Sequence, residues 1–393
     1  MLSLLEAKAH KNLEIMQKKH IYLSPPDVGE NERKLLLDAF DSNWIAPLGP
    51  CVDSFEQQLA TRCQREACAA LASGTAAIHI ALKMLGCQAG DTVLTQSFTF
   101  CGTVNPIVYC GSEPVFIDSE DQTWNMCPEA LERAIKKLRK AGKPIRAIIP
   151  VHLYGMPADL DNILNIAAFH GIPVIEDAAE ALGSSYADHA CGSLGDFSVL
   201  SFNGNKIITT SGGGALLSNR EDLIVKARWL ASQARDDAPH YEHSAIGYNY
   251  RLSNLSAAVG IGQLSNLEDK VQKRRRIFNC YKEFFKPYDF VKFQEPPDHR
   301  FESNRWLTAI ILEKDSGKHI APERFREQLN QDNIETRPLW KPMHLQPVFK
   351  GCSVEETGVS EDLFHRGICL PSGSGMSNDE LERVFESLRK VIA

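Results

Sequence analysis

Short apolar runs alternate with helical patterns of apolar and polar residues through the first half of the chain. Seven of the runs have the length of buried strands, and they cover residues 69–71, 92–95, 115–117, 147–151, 174–176, 197–201 and 215–218. Between them, apolar side chains recur at helical spacing over residues 76–85, 128–141 and 160–170. This alternation predicts an α/β fold with a mostly parallel central sheet, flanked by helices and buried on both faces.

The pattern changes after residue 249. Residues 252–285 predict one long polar helix, and a mixed segment follows it to the C-terminus. Because 393 residues exceed a single comfortable core, we expect two domains. The predicted division is an N-terminal extension of residues 1–20, a large domain of residues 21–270 and a smaller C-terminal α+β domain of residues 271–393.

Composition excludes several classes of function. A net charge of -7 leaves no broad basic face for nucleic acid. The 11 cysteines lack the paired spacings of a zinc site and the density of a secreted disulfide scaffold, which favours a reducing cytoplasm and no metal. No secretory apolar segment opens the chain, and no stretch approaches the roughly 20 apolar residues of a membrane span. We therefore expect a cytoplasmic protein without nucleic-acid or membrane partners.

Candidate chemistry is concentrated at the ends of three predicted strands. Residues 72–75 (ASGT) open a helix whose free N–H groups and positive end suit a phosphate, although taken alone they are more typical of an ordinary N-cap. Asp177 ends a buried strand, where a carboxylate suits a pyridinium nitrogen or caps the next helix. Lys206 follows a third strand and precedes the glycines at 212–214, which permit close packing beside a flat cofactor. Together the three sites suggest a pyridoxal-phosphate enzyme.

At these motifs the sequence resembles the DegT/DnrJ/EryC1/StrS sugar aminotransferases, which are fold-type I pyridoxal-phosphate enzymes. The similar stretches span roughly residues 20 to 390 and include SGTAAIHIAL, GIPVIEDAAEALGS, GDFSVLSFNGNKIITTSGGGALLS, GYNYRLSN and ETRPLWKPMHLQPVF. The resemblance implies that Lys206 forms the Schiff base with pyridoxal 5'-phosphate and later shuttles the proton. It also implies that Asp177 pairs with the pyridine nitrogen.

The same resemblance assigns further residues to the cofactor and the substrate. Phe100 would stack on the ring, and Ser201 with Gly74 and Thr75 would hold the phosphate. Asn249 would reach that phosphate from the neighbouring subunit, which implies a homodimer with shared active sites. His344 would line the substrate pocket.

Glu180 departs from the family pattern, because many members carry His or Gln at this position. A carboxylate only accepts hydrogen bonds unless it is protonated, so its contact with the cofactor's 3-hydroxyl is open. Our hypothesis is that Glu180 is either protonated or turned towards the sugar.

Several segments, among them LSPPDVGENE and ETRPLWKPMH, resemble the enzymes that aminate C4 of a UDP-linked 4-keto-6-deoxy-N-acetylglucosamine with L-glutamate. That reaction belongs to bacillosamine synthesis for bacterial protein glycosylation. Residues that could contact the nucleotide sugar in these segments are Trp44, Arg235, His240, Asn304, Arg305 and Trp306. The alternatives are another nucleotide-linked 4-keto sugar, of the GDP-perosamine or nonulosonic-acid precursor type, and a non-catalytic regulatory member. A sugar dehydratase would carry His in place of Lys206.

Overall fold

The computed structural model describes residues 19–313 and 320–392, so residues 1–18 of the predicted N-terminal extension lie outside the described residues. The strands are β1 (Ala67–Leu71), β2 (Thr92–Gln96), β3 (Glu113–Ile117), β4 (Ile145–Ile149), β5 (Ile175–Asp177), β6 (Ser185–Tyr186), β7 (His189–Ala190), β8 (Phe197–Ser201), β9 (Gly214–Ser218), β10 (Val291–Phe293), β11 (Phe301–Glu302), β12 (Thr308–Leu312), β13 (Arg337–Pro338), β14 (Val354–Glu355) and β15 (Gly367–Leu370). The helices are α1 (Glu30–Asp41), α2 (Pro50–Arg62), α3 (Gly74–Met84), α4 (Cys101–Tyr109), α5 (Pro128–Lys140), α6 (Leu160–His170), α7 (Glu221–Ala231), α8 (Asn254–Ser265), α9 (Leu267–Phe285), α10 (Pro322–Gln331), α11 (Val359–Arg366) and α12 (Asn378–Ile392).

The central sheet has the order β14-β3-β2-β4-β5-β8-β9-β1. Ladders join β14, β3, β2 and β4 in parallel, and parallel bridges from Ile148 to Val174 and from Val151 to Asp177 connect β4 with β5. β5 is parallel to β8, whereas β9 is antiparallel to both β8 and β1. The prediction of a mostly parallel α/β sheet is confirmed. β9 is reversed because residues 202–213 join it to β8 directly, without a crossover helix.

All seven predicted strands are present; residues 197–201 match without a shift, and the other six strands have boundaries shifted by one or two residues. The single helix predicted over residues 252–285 is wrong, because the backbone leaves helical geometry at Asn266 (φ -106, ψ 10). α8 ends there and α9 begins at Leu267. Leu267 and Val271, in the first turns of α9, are buried in the core beside the central sheet. Helical periodicity alone does not reveal this burial.

A second, antiparallel sheet has the order β10-β12-β15-β13. Its apolar core contains residues from α9, α10 and α12 together with Ile21, which pairs with Ile334. The predicted boundary at residues 270 and 271 falls inside α9, and the division into two domains stays a prediction. Across the described residues, no helix has both the length and the apolar character needed to span a bilayer.

Candidate active site

A cleft opens at the carboxyl ends of β5 and β8, where the N-termini of α3 and α4 also meet. Predicted site residues in its wall are Gly74, Thr75, Phe100, Asp177, Glu180, Ser201, Lys206 and Trp306. Parallel strands of an open sheet bring such residues to one edge although they are distant in sequence. The structure therefore gathers the three motifs in one place.

Two helix N-termini form one end of the cleft. The Ser73 hydroxyl accepts the N–H of Ala76 (3.0 Å), whereas the N–H groups of Gly74 and Thr75 have no acceptor within α3. A Cβ on Gly102 would lie 3.0 Å from Thr75 Oγ1, so the start of α4 packs closely against the start of α3. These two positive helix ends, beside Ser201 at the end of β8, suit a dianionic phosphate.

Asp177 lies in the same cleft wall, at the end of β5 and beside the first turn of α4. Its Oδ2 accepts the hydroxyl of Thr103 (2.8 Å) and its Oδ1 accepts the N–H of Ala179 (3.1 Å). Burial raises the pKa of Asp177, and these two hydrogen bonds offset that effect only in part. No ion pair to Asp177 is formed within the described residues. A buried carboxylate without a paired cation suits a ligand that brings its own positive charge.

Lys206 lies in the direct connection between β8 and β9, in a turn closed by its N–H and the carbonyl of Asn203 (3.0 Å). Its Nζ is 3.3 Å from Oε1 of Glu180 and 4.1 Å from the ring centroid of Trp306. The indole N–H of Trp306 donates to the carbonyl of Asn205 (2.7 Å), which holds the neighbouring residue of the turn. The amine is thus positioned inside the cleft with little freedom.

The aromatic wall includes two residues that the sequence did not indicate. Tyr154 stacks on Trp306 and on Trp340, and its hydroxyl accepts the backbone N–H of Trp340 (2.8 Å). Phe100 faces Trp340 across 5.3 Å and is 51% exposed, so one ring face is open to a ligand. Trp340 lies in the family-like segment ETRPLWKPMHLQPVF, but the sequence assigned no role to it or to Tyr154, because their contact forms only through tertiary packing.

Glu176, the residue before Asp177, anchors the end of β5. Its carboxylate accepts N–H groups of Gly192, Leu194 and Gly195 and the Nε2–H of His152. Burial alone would raise the pKa of Glu176, but the hydrogen bonds and the nearby His152 outweigh it and hold that pKa at about 2. Glu176 faces away from the cleft wall, so its role is to fix the strand that carries Asp177.

Comparisons with known proteins show the family of this chain. The model of the DegT/DnrJ/EryC1/StrS aminotransferase family matches residues 26–389. The chain belongs to this family. It is 54% identical over 374 residues to the "Putative pyridoxal phosphate-dependent aminotransferase EpsN" of Bacillus subtilis (strain 168), which covers 94% of this chain and 95% of the relative. The GDP-perosamine synthase of Caulobacter vibrioides is 33% identical over 95% of this chain and 98% of its own.

Among solved structures, a DegT DnrJ EryC1 StrS aminotransferase from Brucella abortus superposes with a TM-score of 0.84 at 32% identity, over 92% of this chain and 95% of the other. The protein is a pyridoxal-phosphate-dependent sugar aminotransferase of the DegT/DnrJ/EryC1/StrS family. The donor set fits this cofactor, since the helix ends match its phosphate and the uncompensated Asp177 matches its pyridinium nitrogen.

Several substrate residues that the sequence predicted for this aminotransferase lie elsewhere. Asn304 is buried, and its amide donates to the carbonyls of Glu180 and Leu182 while its oxygen accepts from Trp306. Arg305 is partly buried, and its guanidinium lies over the ring of Phe278. These two residues organise the polypeptide behind the cleft, and the structure does not place them in its wall.

His344, Arg235, His240, Trp44 and Asn249 are also absent from the wall of the cleft. His344 Nδ1 lies 2.6 Å from the Ser97 hydroxyl. Arg235 is exposed and lies over Tyr241, and exposed His240 pairs with Glu242. Trp44 and Asn249 are exposed in the single chain. For Asn249 this placement is the one that a contact from a neighbouring subunit requires.

Proposed function

We propose that this enzyme transfers the amino group of L-glutamate to C4 of a UDP-linked 4-keto-6-deoxy-N-acetylglucosamine, with Lys206 as the catalytic amine. The observation that carries the chemistry is the position of the Lys206 Nζ, which lies 3.3 Å from Glu180 Oε1 in a cleft whose wall also contains Asp177 and the starts of α3 and α4. The choice of sugar comes from the resemblance of the sequence to enzymes of bacillosamine synthesis. The free thiols of the cysteines accord with a cytoplasmic location.

The cleft residues have separate tasks. Bound pyridoxal phosphate supplies a conjugated ring that accepts the electron pair of a breaking Cα–H bond. Asp177 keeps the ring nitrogen protonated, and the starts of α3 and α4 with Ser201 hold the phosphate. Phe100 covers one face of the ring. Lys206 would hold the cofactor through its Nζ, and the same Nζ would take the proton from the donor Cα and later deliver one to C4 of the sugar.

A second cavity adjoins the cofactor cleft and supports a large substrate. Its volume is about 660 Å³, and Asn205, Trp306 and Trp340 lie in the walls of both spaces. The far side carries Tyr22, Arg337 and Lys341 among mostly apolar groups. Cations suit a diphosphate and an exposed aromatic ring suits a nucleobase. We propose that the sugar enters the cleft while the nucleotide diphosphate occupies this cavity.

The proposed enzyme is a homodimer in which Asn249 binds the phosphate of the partner's cofactor. Large apolar side chains are exposed on α1 and the segment after it, on α4 and in the loop before Asn249: Leu37, Phe40, Trp44, Ile45, Leu48, Val108, Tyr109, Tyr241 and Ile246. Exposed apolar surface of this extent is typical of protein–protein interfaces. A second copy of the chain would cover it.

The test is a panel of UDP-, GDP- and TDP-linked 4-keto sugars assayed with L-glutamate as donor. We expect the UDP-linked N-acetylglucosamine derivative to be aminated with the highest kcat/KM, with 2-oxoglutarate as co-product. Preference for the GDP-linked sugar would replace the proposed substrate by one of the perosamine type. The similarity to GDP-perosamine synthase is the reason for including this sugar in the panel. Conversion of the bound cofactor by glutamate alone, without any sugar, would support the chemistry in either case.

A further inference from the structure

Glu180 is the acidic group closest to the amine of Lys206, and its two oxygens have different partners. Oε2 accepts the backbone N–H of Tyr154 (2.7 Å), whereas Oε1 faces the Nζ of Lys206 at 3.3 Å. The Glu180 side chain is only 4% exposed. Tyr154 lies in the left-handed region (φ 56), so its N–H is turned towards this carboxylate by an unusual backbone conformation. Oε1 is therefore the oxygen that responds to the state of Lys206.

The other ionisable groups facing Glu180 do not replace Lys206 as a counter-charge. Asp177 carries the same sign of charge and contributes to raising the pKa of Glu180, after the larger effect of burial. The Tyr154 phenol and the Cys369 thiol, which also interact with this carboxyl, have pKa values raised by burial and stay neutral. Within the described residues, Lys206 forms the only ion pair of Glu180. If Lys206 loses its positive charge, the buried carboxylate of Glu180 is left without a counter-ion.

Binding of the cofactor removes that charge. The Lys206 nitrogen forms a bond with the carbonyl carbon, the carbonyl oxygen leaves as water with two of the three ammonium hydrogens, and the third leaves as a proton. We propose that Glu180 Oε1 accepts this proton and keeps it while Lys206 is bound to the cofactor. This inference rests on the proposed role of Lys206. It makes Glu180 a neutral hydrogen-bond donor towards the cofactor in the loaded enzyme and a carboxylate in the apoenzyme.

The test counts the protons released when apoenzyme binds pyridoxal phosphate, by calorimetry in two buffers of different ionisation enthalpy. In Glu180→Gln the amide keeps the contact with Tyr154 but cannot take up a proton, so the variant should release about one proton more than wild type. By linkage, the ratio of the dissociation constants of variant and wild type should fall about tenfold for each unit of rising pH while the apoenzyme lysine is charged. Equal proton counts and a pH-independent ratio would overturn the proposal.

Two controls separate the possible failures. Glu180→Asp retains a carboxylate and should keep the wild-type proton count, and thermal unfolding of each apoenzyme checks that the variants fold. In the Lys206→Ala background no bond to the cofactor forms, so adding Glu180→Gln to this variant should not change the number of protons released. If Lys206→Ala still bound the cofactor covalently, the proposed function would fail. Equal counts in the presence of an intact Lys206 bond would remove only the role of Glu180.

Discussion

Asp177 illustrates how burial prepares a single side chain for its ligand. Because within the described part of the chain its oxygens receive hydrogen bonds only from Thr103 and Ala179, its charge is left for a cationic partner. Asp177→Asn cannot keep a ring nitrogen protonated, so we expect kcat/KM to fall by about 100-fold or more, which corresponds to about 2.7 kcal/mol in the barrier. The measurement is the conversion of bound cofactor by glutamate, followed by absorbance.

Asp159→Asn is the matched control for this substitution. Asp159 caps α6 away from the cleft, and Asn is an equally good N-cap, so this variant should keep wild-type activity. If the two Asp→Asn variants had the same kcat/KM, the charge of Asp177 would have no part in the chemistry.

Glu176 should give the enzyme an acid-sensitive component of stability. Its pKa is lowered from 4.5 to about 2 in the folded protein, so its contribution is complete above pH 4.5 and is lost as the pH falls towards 2. Urea unfolding of apoenzyme should show that the cost of Glu176→Gln is largest near neutral pH and shrinks by roughly 3 kcal/mol over this acidic range. A cost that does not change with pH would contradict the assigned hydrogen-bond network.

The sequence located the residues whose function follows from a strand end, and it missed those brought in by packing. Asp177 ends one apolar run and Lys206 lies in the turn that follows another, and open α/β sheets collect such positions at one edge. Trp340 contacts Tyr154 across 186 positions, a pairing that no local pattern encodes. Asn304 matched a family segment but is used to hold backbone carbonyls, which only the three-dimensional structure shows.

At the scale of elements, the close approach of β9 and α3 determines the phosphate end of the cleft. A Cβ on Gly214 would collide with the backbone N of Gly74 and lie 2.7 Å from the carbonyl of Leu200. Gly214→Ala should therefore displace the start of α3 and weaken cofactor binding roughly tenfold, about 1.4 kcal/mol, with a loss of stability of about 1–3 kcal/mol. Fluorescence titration of apoenzyme with pyridoxal phosphate measures the affinity.

Gly204 offers a control outside the wall of this cleft. A Cβ there meets only Pro26 Cγ, at 3.9 Å, so Gly204→Ala should bind the cofactor as wild type does. Equal weakening by both alanines would mean that the approach of β9 to α3 does not shape the phosphate site.

The elements themselves were predictable to different degrees. The seven central strands were predictable from their apolar runs, because a strand that is buried on both faces of a sheet is apolar along nearly its whole length. The break at Asn266 was not predictable from periodicity, because no Pro or Gly marks it within residues 263–269, although Leu267 and Val271 pack into the core beside the central sheet.

At the scale of the whole molecule, the proposed trans contact of Asn249 can be tested by mixing variants. Lys206→Ala and Asn249→Ala homodimers should each be impaired, since every site lacks one of the two residues. Co-expressed chains form heterodimers in which one of the two sites contains both residues intact. We expect these mixtures to recover transamination beyond the sum of the two homodimers, measured as 2-oxoglutarate formation. No recovery in a verified heterodimer would place Asn249 and Lys206 in the same chain's site.

The central claim is that Lys206 is the residue that binds the cofactor covalently. The most direct measurement is borohydride reduction of the loaded enzyme, followed by proteolysis and mass spectrometry of the labelled peptide. We expect a stable pyridoxyl group on Lys206 and its absence from Lys206→Ala treated in the same way. A label on a different lysine, or an unlabelled Lys206 in an enzyme that still transaminates, would contradict the covalent role of Lys206.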